Sequence, residues 1–419
     1  MCIFLYNGGM LSKLQRSLKS TRAAFIVLSL MLFFLSIQVS LTIYIDSSFL
    51  KSTISHSSLS KTFLWENPDN MVGVVYTLAS LLTILALLYS PVALRRYGNY
   101  RWSLSILILH TIILLSLASS TSAWLILPFF ITSSALLSVL YFNFDIFLER
   151  YSVDEETGRI RGLFMTIASV AWLLPPMFAG NLVEHHGFQS VYFIGAIILF
   201  PVIFLMIRYL SDFKDLAYED SPLFLPKDTN KKHPGIISAL WMNFFLQFFY
   251  AWIVIYSPIY FHENLAVSYG DFGLMLSIAL IAFVLIPLPV GWLADKILGE
   301  KELFIVGFLV MGISVVLFPI LAKGTFVFWH WALLLFVGRI GASCVETMSE
   351  TYFFKQIDGS AAGYIGHFRR MRPIAYIIAP MTASSLLSAG IITLPELFPI
   401  LGGVMLLAAG TALTLKDTK

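Results

Sequence analysis

Residues 90–98, SPVALRRYG, have a counterpart 201 residues further along the chain in residues 291–299, GWLADKILG. Both stretches come at the end of an apolar segment and finish in a glycine. Further pairs at the same distance are Asp145 and Glu346, Glu149 and Glu350, Tyr151 and Tyr352, Gly158 and Gly359, and Gly162 and Gly363. Charged residues and glycines that repeat together are harder to obtain by chance than apolar matches in so apolar a chain. The sequence therefore predicts two copies of one unit.

The composition places this chain in a lipid bilayer. Hydrophobic residues make up 58% of the 419 residues and charged residues only 12%, whereas soluble domains carry about 25% charged residues. The net charge of +3 gives no reason to invoke a nucleic-acid partner. The two cysteines, Cys2 and Cys344, offer neither a disulfide framework nor a metal-binding pair. We expect no cofactor and no metal.

Twelve apolar segments have the length of roughly 20 residues that a membrane span requires. Their centres are Leu35, Leu82, Ile112, Leu136, Val170, Leu199, Phe248, Ala282, Met311, Gly341, Ile377 and Leu406. Because they are too long and too uniformly apolar for barrel strands, we predict an all-α integral membrane fold with twelve transmembrane helices in two six-helix pseudo-symmetric bundles. The predicted units are an N-terminal segment 1–22, the bundles 23–210 and 235–415, a polar linker 211–234 and a tail 416–419.

The distribution of positive charge predicts the orientation. With the N-terminus inside, only Lys51, Lys61 and Lys323 lie outside and Arg339 lies within a span, so 23 of the 27 lysines and arginines are cytoplasmic. An excess of positive charge marks the cytoplasmic side. We therefore predict a multi-pass protein of the plasma or inner cell membrane with both termini in the cytoplasm, whether translation starts at Met1 or at Met10.

The second copy of the repeat resembles a loop signature of the major facilitator superfamily. The resemblance rests on residues 291–296, GWLADK, together with Gly299 and Lys301, between the eighth and ninth predicted helices. The first copy departs from the pattern, because Leu94 stands in place of the aspartate and Ser90 in place of the first glycine. The resemblance implies a conformational latch formed by Gly291, Asp295, Lys296, Gly299, Arg159 and Arg161.

In that latch, the Asp295 carboxylate would meet the start of the fifth helix, where arginines and the positive helix N-terminus attract an acidic side chain. The alternative is that Asp295 is a solvated loop residue. The matching contact on the Leu94 side is not expected, since leucine carries no charge.

A second resemblance lies in the fifth span. Residues 175–180, PPMFAG, are similar to the glycine-proline motif of the superfamily's drug and proton antiporters, through Pro176 and Gly180. Pro175 and Ala179 stand where that motif has glycines. Two prolines that kink a buried helix would explain the same residues.

Charged residues within spans are costly and are therefore candidates for function. Arg339 lies near the middle of the tenth span, and its spacing to Glu346 and Glu350 places all three residues on one helix face. Arg339 and Glu346 are about 10 Å apart along the helix axis, so an anionic substrate group or a facing carboxylate would fit between them. Asp145 pairs with Glu149 in the fourth span, and like charges at this spacing favour protonation of one carboxyl group. Glu149 and Glu350, at helix ends, are expected to pair with arginines instead.

The superfamily resemblance also implies cavity residues, because its first and seventh helices line the central cavity. Gln38, Asn243 and Gln247 are the polar residues at mid-span in those helices. Each of them is equally suited to an interhelical hydrogen bond. The substrate and coupling candidates are thus Arg339, Glu346, Asp145, Gln38, Asn243 and Gln247.

The resemblance implies a secondary transporter that moves a small organic solute by alternating access. We expect proton-coupled efflux by a monomer with a small-molecule substrate and protons as partners. The alternatives are a proton-coupled symporter of a sugar or peptide, or a receptor on the same fold that does not transport. The sequence lacks a serine elbow, a zinc-binding histidine pair and a nucleotide-binding loop, so we expect no enzymatic activity.

Overall fold

The computed structural model describes residues 21–57, 68–151, 167, 169–213, 215, 235–356 and 362–415. The helices of the first half are α1 Thr21–Thr42, α2 Asp46–Ser55, α3 Pro68–Tyr97, α4 Asn99–Ser119, α5 Ala123–Tyr151, α6 Pro175–His186 and α7 Phe188–Tyr209. The second half begins with α8 Ile236–Ile259, which continues as a π-helix at Tyr260–Asn264. Its other helices are α9 Tyr269–Leu280, α10 Ala282–Leu285, α11 Pro287–Lys296, α12 Glu300–Val316, α13 Phe318–Leu321, α14 Phe328–Gln356, α15 Ala362–Ser388 and α16 Leu397–Ala412.

Ten helical segments among the described residues are long and apolar enough to cross a membrane. The predicted all-α integral membrane fold is confirmed, and twelve spans are consistent with it. The eleventh predicted span is α15, whose three arginines, Arg369, Arg370 and Arg372, make its first turns polar. The fifth predicted span lies partly outside the described residues and is represented by residues 169–173 and α6.

The repeat seen in the sequence marks equivalent helix starts. Gly98 precedes α4, and Gly299 precedes α12. Gly98 has φ 76°, a left-handed conformation that glycine adopts without steric cost. It allows the chain to turn sharply between α3 and α4.

The two halves also pack their helices in the same pattern. In the first half α4 packs against α5 and α7, and α3 packs against α5. In the second half α12 packs against α14 and α16, and α9 packs against α14. Helices in the same position of each copy thus have the same neighbours, which is consistent with pseudo-symmetric bundles.

The halves pack most extensively through α3 with α15 and α6 with α9, and α2 also packs against α8. Ser384 near the end of α15 donates a hydrogen bond of 3.0 Å to the Asn70 carbonyl in the first turn of α3. The end of the bundle that holds these residues also holds Lys51, and we call it the Lys51 end.

The α6–α9 pair is close enough for backbone to touch backbone. A Cβ atom built on Gly180 of α6 would overlap the Tyr269 carbonyl of α9, and one built on Gly273 of α9 would overlap the Pro176 carbonyl of α6. Small residues permit this approach, as at many membrane helix interfaces. The contact therefore holds the halves together at the Lys51 end.

We predict that Gly180→Ala separates the halves at this end. The methyl group would meet backbone atoms that cannot rotate away, and overpacking of this kind costs about 1–3 kcal/mol, a shift of about 5- to 150-fold in a two-state equilibrium. Spin labels at His56 and Ala389, both exposed and in different halves, would report a longer distance in double electron–electron resonance.

The matched control is Gly403→Ala in α16, where an added Cβ meets nothing within 4 Å. Both changes remove a helical glycine and share the gain in helix propensity. An unchanged distance distribution in Gly180→Ala would show that the α6–α9 contact does not hold the closed end.

Candidate functional site

The guanidinium group of Arg339 lies between two tyrosine rings in the middle of α14. Its Cζ atom lies 5.9 Å from the ring centroid of Tyr44 and 5.8 Å from that of Tyr250. The side chain is only 3% exposed. Tyr44 comes from the turn between α1 and α2 in the first half, and Tyr250 comes from α8 in the second half. The site therefore lies at the junction of the halves, and the rings stabilise the cation through their negative faces.

Glu346 lies two turns further along α14 and is bound by the same tyrosine. The Tyr250 hydroxyl donates a hydrogen bond of 2.9 Å to a Glu346 carboxylate oxygen. Because the ring of Tyr250 faces Arg339 while its hydroxyl reaches Glu346, this one side chain separates the cation from the carboxylate. Glu350, Arg369 and Arg372 also lie near enough to act on Glu346 electrostatically.

Arg369 of α15 pairs with Glu350 across 2.9 Å. The expectation that Glu350 pairs with an arginine is confirmed. Asp145 of α5 has an exposed side chain and acts electrostatically on Arg369 from the other half. These charges lie at the end of the bundle opposite Lys51. The Glu149 side chain lies outside the described residues.

The remaining polar candidates make hydrogen bonds within one half. Gln38 Oε1 lies 3.3 Å from His110 Nε2, and His110 Nδ1 lies 3.3 Å from the Ser133 hydroxyl. In α8, Asn243 donates to the Phe368 carbonyl at 3.0 Å and accepts from Gln247 at 3.2 Å. The contacts of Gln38 and Asn243 match the interhelical alternative, whereas Gln247 bonds within α8. The role of all three residues as substrate contacts stays a prediction.

The helix-five motif starts α6 and forms its contact with α9. Pro175 and Pro176 occupy the first positions of α6, where proline's missing N–H costs no hydrogen bond. The Met177 backbone N–H donates to the Ser277 hydroxyl of α9 at 3.3 Å. With Gly180 against Tyr269, this motif builds the closed surface between the halves.

The latch implied by the superfamily resemblance is only partly within the described residues. Gly291 and Lys296 lie on α11, where a Cβ on Gly291 would meet nothing within 4 Å and Lys296 is exposed. The Gly299 backbone N–H donates to Glu302 at 3.1 Å and caps α12. The Asp295 side chain, Arg159 and Arg161 lie outside the described residues, so the latch stays a prediction.

The sequence analysis did not predict an ion-pair cluster that joins the two halves at the Lys51 end. Lys51 of α2 lies 2.6 Å from Asp69 of α3, and it also binds Glu263 of the π-helix in the second half. The signal was present, because Lys51 is one of three lysines predicted outside and both acids flank spans on that side. We call Lys51, Asp69 and Glu263 the outer ion cluster.

Comparison with known proteins agrees with this architecture. The family model of the Major Facilitator Superfamily matches residues 239–419. The matched residues make up most of the second half of the chain. The recognition made from the loop signature is thereby confirmed. A comparison with curated protein sequences gives no match.

Two solved transporters share the fold over most of the chain. The crystal structure of an auto-inhibited POT family peptide transporter aligns with a TM-score of 0.73 at 10% identity, covering 94% of this chain and 98% of that chain. The structure of the nucleoside transporter NupG aligns with a TM-score of 0.68 at 13% identity, covering 93% and 99%. At these identities the likeness shows the fold. Family and fold are those of multi-pass membrane transporters.

We predict that Lys51→Met opens the Lys51 end. Without the ammonium group, the carboxylates of Asp69 and Glu263 lose the cation that bridges the two halves. The cluster is partly buried, so its loss should cost more than the roughly 0.2–1 kcal/mol of an exposed pair. We expect about a tenfold shift toward the open form, which corresponds to about 1.4 kcal/mol, read from the same spin-label pair.

Lys323→Met provides the control, because it removes an exposed lysine also predicted outside. Lys51→Arg should preserve the closed distance, since arginine can bind both acids. If Lys51→Met left the distance unchanged, the outer ion cluster would not contribute to closure.

Proposed function

We propose that this protein is a secondary active transporter that moves a small organic solute by alternating access, coupled to protons, and that it works as an exporter. The observation that carries the proposal is the position of Glu346. This carboxyl group lies on a membrane-spanning helix, bound by the Tyr250 hydroxyl at 2.9 Å and two turns from Arg339. A carboxyl group with a neutral hydrogen-bond donor can gain and lose a proton without breaking an ion pair.

The contacts between the halves support alternating access. Close backbone packing at α6–α9, the Ser384–Asn70 hydrogen bond and the outer ion cluster all close the Lys51 end. In alternating access, two bundles rock about a central site so that closing one end opens the other. Arg339 and Tyr44 belong to different halves and would move relative to each other in that motion.

Export by antiport rests on the helix-five motif, since Pro176 and Gly180 resemble the motif of drug and proton antiporters. In this chain both residues lie in the closing contact with α9. Symport of a nutrient is the second candidate, and the peptide and nucleoside transporters that share the fold keep it open. The proposed location is the plasma or inner membrane with cytoplasmic termini, which follows from the placement of lysine and arginine.

The test uses purified protein in liposomes with an internal pH dye and an imposed pH gradient. Small organic cations and anions, drugs, sugars and peptides are added in turn. For wild type we expect a substrate-dependent proton flux. Protons should move in the direction opposite to the solute in antiport and in the same direction as the solute in symport. Absence of flux with every compound, together with absence of binding, would favour the non-transporting receptor.

We predict that Glu346→Gln abolishes substrate-dependent proton flux while the protein still exchanges labelled substrate for unlabelled substrate. Glutamine can hold the Tyr250 hydrogen bond but cannot carry a proton. We therefore expect substrate-dependent proton flux to fall to the level of protein-free liposomes.

The matched control is Glu396→Gln, which changes an exposed carboxyl group that accepts a hydrogen bond from the Thr393 backbone. Its flux should equal that of wild type. Full proton flux in Glu346→Gln would exclude this residue as the coupling group, and exchange without any proton flux in wild type would exclude proton coupling.

A further inference from the structure

Arg339 is a buried cation without an anionic partner among the described residues. Its side chain is 3% exposed, its Nη2 atom makes no hydrogen bond there, and its close interactions are the faces of Tyr44 and Tyr250. The ion pairs found elsewhere in the described chain use Lys51, Lys355 and Arg369. Burial of this guanidinium group costs desolvation free energy, and no ion pair among the described residues offsets that cost.

The nearest carboxylate on the same helix does not fill this role. Glu346 follows Arg339 by seven residues, about 10 Å along the axis, and its carboxylate accepts from the Tyr250 hydroxyl. Tyr250 therefore lies between the two charges. The structure keeps cation and carboxylate apart and leaves the Nη2 atom of Arg339 without a hydrogen-bond partner among the described residues.

The surroundings of Arg339 suit an organic anion. A third tyrosine, Tyr376 of α15, lies close enough to act electrostatically on both Arg339 and Tyr44, and Arg372 lies over its ring at 5.7 Å. Tyrosine rings provide apolar walls with hydroxyl groups at their edges, and the guanidinium fork binds an oxyanion through two parallel hydrogen bonds.

We propose that the transported solute is an organic oxyanion, a carboxylate or a phosphate monoester, whose charged group binds Arg339 and whose body packs against Tyr44 and Tyr250. The inference rests on the proposed transport function and adds the substrate class. It also assigns separate tasks to the two charges of α14. Arg339 binds the solute, and Glu346 carries the proton.

Binding is measured on the full chain in detergent by thermal stability and by calorimetry. The probes are aromatic and aliphatic carboxylates, each with its own amide, and phosphate monoesters, each with its parent alcohol. We expect stabilisation by anions and not by their neutral counterparts. The variants are Arg339→Met and Arg339→Lys, with Lys323→Met as the matched removal of an exposed cation.

In Arg339→Met we expect anion affinity to fall by at least about 100-fold, because a buried charge-assisted pair is lost. The melting temperature of the ligand-free variant should equal or exceed that of wild type, since an unpaired buried cation is removed. Arg339→Lys keeps the positive charge but loses the planar group that makes two parallel hydrogen bonds. We therefore expect an anion affinity between those of wild type and Arg339→Met. Lys323→Met, which removes an exposed cation away from the site, should bind the anion as wild type does.

Several outcomes would overturn the inference. One is that the amide or alcohol stabilises the protein as strongly as its anion; another is that no anion in the panel binds. A ligand-free Arg339→Met that is strongly destabilised would show that Arg339 already has its counter-charge. Coupled flux of a neutral or cationic solute, unchanged in Arg339→Met, would leave the transport function standing and exclude the anionic substrate. Anion binding that depends on Arg339, without flux, would instead exclude transport.

Discussion

A charge inside a membrane protein has no bulk water to solvate it, so its position depends on what the neighbouring helices offer. The charged side chains of the described residues are stabilised by different kinds of neighbour. Lys51 is neutralised by acids from both halves, and Arg369 is neutralised by Glu350. Glu346 accepts a hydrogen bond from a tyrosine hydroxyl, and the Arg339 guanidinium group lies against two tyrosine rings. Lys51 and Arg369 are held in ion pairs that join helices. In the proposed mechanism, Arg339 and Glu346 are the charges that bind a ligand and a proton.

The same residues connect the site to the packing of the halves. Tyr44, on the first half, contacts Arg339 on the second, within one continuous interface that also includes the α6–α9 contact. A rigid movement that opened the Lys51 end would also move Tyr44 away from the guanidinium group. A substrate bound between Tyr44 and Arg339 would therefore shift the equilibrium between the open and closed forms. The size of that shift is set by the difference in the affinities of the two forms for the substrate.

Much of the fold could be predicted from local patterns. Hydrophobic length indicated the spans, and the repeated glycines Gly98 and Gly299 marked equivalent helix starts. Only Gly98 has the left-handed conformation that favours glycine, since Gly299 is extended. The site was harder to predict. Gln38 and Asn243 are polar residues on the expected helices, yet their side chains bond within one half. A helical period indicates which residues share a face, but it does not indicate which neighbouring helix that face meets.

The sequence by itself determined the membrane environment, the two related halves and the presence of an arginine and a glutamate on one face of a single helix. These properties depend on composition and on spacing along the chain. Only the tertiary structure decided that Tyr250 separates Arg339 from Glu346, and that Lys51 reaches Glu263 across the halves. Those contacts join residues from distant parts of the chain, and they depend on helix rotation and tilt, which packing sets and linear spacing does not encode.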